Sequence, residues 1–172
     1  MKTTILTNKK KVVVLGCAFH KQKNAIGIDI RPFKCVDYVL DIEKDHLPFE
    51  NDSIDRIDAS HIFEHLGDGF LFCVDECFRV LKPKGILRID VPNFPGKASL
   101  IHPDHKRFFV PDTFGFFHVP SNGIDLHGYL KGFWHIKQIA HTKENITCEM
   151  TPNKPRGLYP YKKVVRADKD MV

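Results

Sequence analysis

His61, Glu64 and His65 fall within one short stretch, directly after the alternating run IDRIDAS at 54–60. A general base must be neutral or anionic near pH 7 and must reach the proton it removes. Ligands of open α/β sheets gather at the carboxyl ends of strands. His61, just past the end of that run, is therefore the first candidate base, with Glu64 behind it. The plainer alternative is that Ser60 and His61 line a ligand while Glu64 and His65 open a helix. His61 and His65 also have the i, i+4 spacing of two zinc ligands on a helix. The metalloprotease order is H-E-x-x-H, whereas the glutamate here is displaced, HIFEH, so no metal site is expected.

A second polar cluster is His102, Asp104, His105, Lys106 and Arg107. Asp104 can orient His105 as a base, and Lys106 with Arg107 can hold a phosphate or carboxylate on a substrate. The alternative is a solvated loop anchored by Phe108 and Phe109. A third feature is the pair of apolar runs in KVVVLGCAFHKQKNAIGIDI at 11–30. Gly16 follows the first run, where a chain can turn sharply or let a ligand approach its backbone. Asp29 ends the second. A glycine turn after one strand and a carboxylate at the tip of the next is the layout of a nucleoside site, the acid accepting ribose hydroxyls. Two core strands joined by a turn is the competing reading. Cys17 has no nearby base in sequence and reads as part of the turn, not as a nucleophile.

The elements that must position these groups follow from periodicity. Strands are predicted over about 12–16, 25–30, 36–41, 54–60 and 86–91. Phe70, Cys73, Val74, Cys77, Phe78 and Leu81 recur at helical spacing, with Asp75, Glu76, Arg79 and Lys82 opposite. Asp68 is placed to cap that helix, and Lys82-Pro83-Lys84-Gly85 to stop it. Residues 93–131 form a long excursion rich in Pro, His, Phe and Gly, with a short helix after Asp112. Two strands, 133–141 and 146–151, read as a closing hairpin, and 152–172 as an irregular basic tail. The whole is expected to be a single α/β domain over 1–172. Parallel neighbours usually need crossovers of about a dozen or more residues. The first two connections are too short for an ordinary helix.

The chain is 42% hydrophobic, enough for a real core. No apolar run approaches the ~18 residues of a membrane helix, and no membrane partner is expected. The N-terminus lacks a secretory apolar region, and the cysteines at 17, 35, 73, 77 and 148 form no CxxC pair. Both features point to a reducing, cytoplasmic setting. Charge is bipolar: residues 1–34 carry eight Lys/Arg against one acid, and 35–78 carry two against twelve. The basic flanks can attract an anion or nucleic acid, but no Arg-rich run is interleaved with aromatics, and a solvated surface is the better reading.

These residues together resemble a class I S-adenosylmethionine-dependent methyltransferase of the type 11 neighbourhood. VVVLGCA resembles the first motif, with Ala18 where the family has its second turn glycine. GIDI ends in the ribose-binding acid, Asp29. DYVLDIEKDHLPFENDSIDRIDASHIFEHL resembles strands three and four, and CFRVLKPKGILRIDVPN the following helix, turn and strand. HPDHKRFFVPDTF resembles a segment found after strand five in one branch of predicted methyltransferases. The resemblance implies a reduced Rossmann-like methyltransferase fold, mostly parallel, with a C-terminal antiparallel hairpin. It implies S-adenosyl-L-methionine as cofactor, lined by Gly16, Cys17, Ala18, Asp29, Ile30, Asp41, Ile42 and His61, with Asp41 toward the adenine. Catalytic candidates are His61, Glu64 and His105; substrate-binding candidates are Asp104, His105, Lys106 and Arg107.

The implied activity is methyl transfer to a small-molecule or glycan-type acceptor rather than nucleic acid. The alternative is a non-catalytic binding or regulatory module that keeps the fold. An alanine at 18 permits close cofactor approach when its φ is negative. Because VVVL and YVL are strongly apolar and lack covering helices, that sheet face is expected to be buried, either by the 93–131 excursion or the 152–172 tail or, as the preferred reading, by a partner, most simply a second copy of the chain.

Overall fold

The computed structural model describes residues 10–118, 130 and 132–154. Among them one sheet contains β1 (Val12–Leu15), β2 (Ile26–Asp29), β3 (Tyr38–Val39), β4 (Ile54–Ser60), β5 (Leu81–Pro92), β6 (Trp134–His141) and β7 (Asn145–Pro152). The strand order is β3-β2-β1-β4-β5-β7-β6. Strands β1 to β5 pair in parallel, and β7 runs antiparallel to both β5 and β6. This is the expected Rossmann-like α/β sheet with its C-terminal hairpin. The chain runs outward from β1 to β3, then returns to β4 on the other side of β1. The carboxyl ends of β1 and β4 thus flank the topological switch point, where open sheets bind ligands.

The strands differ from expectation mostly at turns. β3 is two residues long instead of 36–41, because Asp37 is drawn out of the strand. Its Oδ2 accepts the Gly27 amide at 2.7 Å and pairs with the Lys21 ammonium. The segment 82–85, expected to stop the helix, belongs to β5 as a bulge: Ile54 pairs with Leu81, but Arg56 pairs with Ile86. The short helix after Asp112 is a 3-10 turn, Pro111–Phe117. The tail beyond 154, the lead before 10 and most of 119–131 lie outside the described residues.

One sheet face carries the core. Val13, Leu15, Ile28, Ile57, Ala59, Leu87, Ile89, Val91, Cys148 and Met150 are buried there, against helix α1 (Phe70–Val80) and the rings of Phe109, Phe114, Phe117 and Trp134. Each large apolar side chain so buried contributes about 1.5–3 kcal/mol. Two expectations for α1 are corrected. The N-cap is Gly69, without a side-chain cap bond, not Asp68. The cap is supplied from outside, because Glu43 Oε1 accepts the amides of Gly67 at 2.6 Å and Gly69 at 3.2 Å. Nor do Asp75, Glu76 and Arg79 face solvent. All three are buried. The Arg79 guanidinium pairs with Glu76 and donates to the carbonyls of Leu47 and Phe49, so the 47–51 loop covers that side.

The opposite face, which lacks the two first helices, is polar. Val14, Asp58, Arg88 and Glu149 lie in one row by register across β1, β4, β5 and β7, and Gln138 continues it on β6. Arg56 pairs with Asp58 at 2.6 Å and Arg88 with Asp90 at 3.1 Å. The 17–25 connection lies over the rest: Gln22 Nε2 donates to Asp58 at 3.0 Å, and the Lys21 stem passes over Gly27. Among the described residues, charged side chains and the 17–25 connection occupy this side of the parallel strands. The described part of the excursion, 93–118, packs instead on the α1 side.

Candidate functional site

The turn after β1 is built on unusual backbone. Gly16 has φ +62°, and a Cβ there would sit 2.8 Å from Ile62 Cδ1. Only glycine meets both conditions without strain. Ala18 has φ +42°. The negative φ at which an alanine would still admit close cofactor approach is not found, and alanine stands in the left-handed region that favours glycine. The Ala18 amide donates to Asp29 Oδ2 at 2.9 Å, and the Arg31 amide to Oδ1 at 3.0 Å. Two backbone bonds fix the carboxylate at the tip of β2 while each oxygen keeps further acceptor capacity. Cys17 is buried, and burial first, then the adjacent Cys35 thiol, pushes its pKa up to about 11. That removes it as a nucleophile at neutral pH.

At the switch point lies a cleft of about 320 Å³, lined by the candidates Gly16, Asp29, Ile30, Asp41 and Ile42 but not by Cys17 or Ala18. The volume lies within the roughly 300–1,000 Å³ of small-molecule pockets. Leu40, Glu43, Ile62 and Leu66 complete its walls, and no motif marked them. Ile62 and Leu66 could have been found as apolar neighbours of His61 and His65. Asp41 closes its own turn, accepting the Glu43 amide at 3.0 Å and the Lys44 ammonium at 2.8 Å. The Lys44 bond holds its carboxyl below the usual range.

His61 follows β4 at φ +51°, its amide bonded to the Asp90 carbonyl at 2.8 Å. Its ring is half exposed, and Nδ1 lies 3.2 Å from Oε1 of the buried Glu64. That bond, more than the opposing effect of burial, raises the His61 pKa. Glu64 Oε2 is buried without a hydrogen-bond partner. His61 and Glu64 are therefore paired side by side, although His61 does not itself line the cleft.

The 102–107 segment reaches the same region. The Glu64 carbonyl accepts the amides of Lys106 at 2.8 Å and Arg107 at 3.1 Å. Asp104, Lys106 and His65 line the cleft. Lys106 Nζ lies 3.8 Å from Glu43. Arg107 turns inward, donating to the carbonyls of Leu66 at 3.0 Å and Gly67 at 2.6 Å, with its guanidinium over the Phe70 ring. Its placement makes it a clamp on the 66–67 loop rather than an arm toward substrate. His105 Nδ1 faces the Ser99 carbonyl at 3.0 Å, outside the cleft lining.

A parallel five-strand half-sheet, an antiparallel hairpin and a cleft at the β1–β4 switch point define a class I methyltransferase fold. Solved structures agree. A methyltransferase from Archaeoglobus fulgidus superposes with TM-score 0.57 at 19% identity, over 84% of this chain and 86% of that one. One from Aquifex aeolicus gives 0.55 at 16% identity, over 82% of each. Residues 13–89 match the family described as Methyltransferase domain. A probable S-adenosylmethionine-dependent methyltransferase of Mycolicibacterium smegmatis is 35% identical over 42% of this chain and 35% of its own. One from Mycobacterium tuberculosis is 32% identical over 46% and 30%. The chain spans about a third of the length of the curated relatives it matches.

Proposed function

We propose that this chain transfers a methyl group from S-adenosylmethionine to an oxygen, nitrogen or carbon of a small-molecule or glycan-type acceptor. The observation that carries the reading is Asp29, held by two amides at the mouth of a cleft whose other walls are mainly apolar. The residues fit the cofactor. Gly16 leaves its backbone open to a ligand, Asp29 retains acceptor capacity for ribose hydroxyls, and Ile30, Leu40 and Ile42 offer an apolar wall to a purine. The bound cofactor supplies an activated methyl group and its own leaving group. What remains for the protein is alignment and proton removal. His61 takes up the acceptor proton at Nε2, and Glu64 fixes the ring through Nδ1. A nucleic-acid acceptor is disfavoured because Arg56, Arg79, Arg88 and Arg107 are each held by carboxylates or carbonyls.

The test is calorimetry with S-adenosylhomocysteine. Asp29→Ala is expected to weaken binding by about 1.5–3 kcal/mol, the range for hydrogen bonds to charged groups. Unchanged affinity with native circular dichroism would remove the nucleoside assignment. A second reading, a non-catalytic module, is favoured by Ala18 and the missing helices. It predicts weak or no S-adenosylhomocysteine binding by the wild-type protein.

A further inference from the structure

We propose that His65, His102 and His105 bind one divalent transition-metal ion of the zinc class beside the cofactor cleft. His65 ends the 3-10 turn Phe63–His65, and the other two lie just beyond the short helix α2 (Lys97–Leu100). Each ring offers one nitrogen, and the three nitrogens lie within 4.8 Å of one another. The ring centroids of His65 lie 5.3 Å from His102 and 4.8 Å from His105, and those of His102 and His105 are 5.0 Å apart.

The surroundings settle which nitrogens are available. His102 Nδ1 bonds to Asp104 Oδ1, and His105 Nδ1 donates to the Ser99 carbonyl at 3.0 Å. His65 Nδ1 lies 3.1 Å from Asp104 Oδ2, out of line for a hydrogen bond. Nδ1 is thus engaged in His102 and His105, leaving Nε2 of each as the free lone pair, while His65 Nδ1 has no hydrogen-bond partner. This is the arrangement by which carboxylates and carbonyls fix the tautomer of metal-binding histidines. The two segments are also locked together beside the cluster by the Glu64 carbonyl, which accepts the amides of Lys106 and Arg107.

Zinc–imidazole bonds of about 2.0–2.1 Å in a tetrahedron place nitrogens roughly 3.3 Å apart. The three nitrogens, within 4.8 Å of one another, must draw together by roughly 1.5 Å or less to reach that spacing. Three imidazoles favour zinc, copper or nickel over magnesium or calcium. Three protein nitrogens leave a fourth position for an oxygen donor such as water. His61, the partner suggested by i, i+4 spacing, is not among the three rings whose nitrogens converge.

The site stands independently of methyl transfer, and its test reads the metal alone. Zn2+ titrated into the full chain is expected to bind one ion per molecule, with excess Mg2+ failing to compete. Co2+ is expected to give the strong visible absorption of a tetrahedral site and to shift three histidine ring signals by NMR, without any mutation. His102→Gln and His105→Gln should each weaken binding by at least the roughly 10–100-fold that loss of a mere supporting partner costs. His141→Gln should leave it unchanged. Absence of binding overturns the proposal. So does binding that survives both variants with native circular dichroism, or that thiol alkylation abolishes.

Discussion

The amide of Ala18 and the carboxylate of Asp29 meet at 2.9 Å across the tops of β1 and β2. The bond is made from a residue at φ +42°, where an L-residue is strained by about 1–3 kcal/mol. The family's glycine would take the same shape freely. Ala18→Gly releases that strain, offset in part by the greater freedom of glycine in the unfolded chain, about 0.4–1 kcal/mol. The net expectation is a gain of about 1 kcal/mol in urea unfolding, with S-adenosylhomocysteine affinity kept or improved. A loss of stability would show that the turn does not store strain.

His61 supplies a pH signature. Its bond to Glu64 raises its pKa above the ordinary 6.5 despite partial burial. A base must be neutral to accept a proton, so the rate under saturating cofactor should rise with pH through a midpoint above about 6.5. Stability runs the other way. The contribution of the His61–Glu64 contact is full below about 6.5 and is lost as pH rises through the folded value. Glu64→Gln should lower the kinetic midpoint, and His61→Ala should abolish turnover with cofactor affinity within a few-fold. Equal losses of rate and affinity would make His61 a binding residue instead.

Strand β4 and helix α1 were legible because their apolar residues repeat with one period each. IDRIDAS became Ile54–Ser60, and the 70–81 pattern became Phe70–Val80. Gly16 and Asp29 were legible as residues at strand ends, and both line one cleft. Relationships set by register were not. Asp58, Arg88 and Glu149 form a row only once β4, β5 and β7 are aligned. In sequence, VVVL therefore looked like a strand needing cover on both sides. Glu43 as an external cap, and His65 beside His102 and His105, depend on loops meeting across the fold. No local pattern encodes such meetings.

Glu43 joins the cleft to helix α1. One oxygen accepts the amides of Gly67 and Gly69, and Gly69 lies so close that a Cβ there would fall 2.3 Å from the Glu43 carbonyl oxygen. Backbone cannot yield as a side chain does. Gly69→Ala should therefore displace the 41–45 turn and impair cofactor binding as well as stability. Glu43→Ala should cost about 1.5–3 kcal/mol, the value of charge-assisted bonds. Glu43→Gln, which keeps a carbonyl acceptor, should cost less. Equal costs for the two would mean that the charge, not the acceptor geometry, holds the helix start.

Arg79 and Glu76 test what the covered side of α1 contributes. The guanidinium is 1% exposed and makes two bonds to Glu76, with others to Leu47, Phe49 and Asn51. Removing one partner of a buried pair costs about 3–5 kcal/mol, because the other charge stays buried and unpaired. Arg79→Ala should therefore lower stability by that amount in urea unfolding. Replacing both, Arg79→Met with Glu76→Leu, should recover only part. The Phe49 carbonyl loses its Arg79 partner in either case, and the Leu47 amide, which donates to Glu76 at 2.9 Å, loses its own in the double variant, at about 1–3 kcal/mol for each group left unsatisfied. The pH dependence should invert as well. In the wild type burial raises the Glu76 pKa, but the bonds from Arg79, His46 and Leu47 outweigh it, and the net value is below the ordinary 4.5. Its stabilisation is present above about 4.5 and lost as pH falls through the lower folded value. Without Arg79, burial dominates, and the variant should gain stability relative to wild type as pH falls toward that range. Parallel acid unfolding curves for the two proteins would show that Arg79 is not what keeps Glu76 ionised.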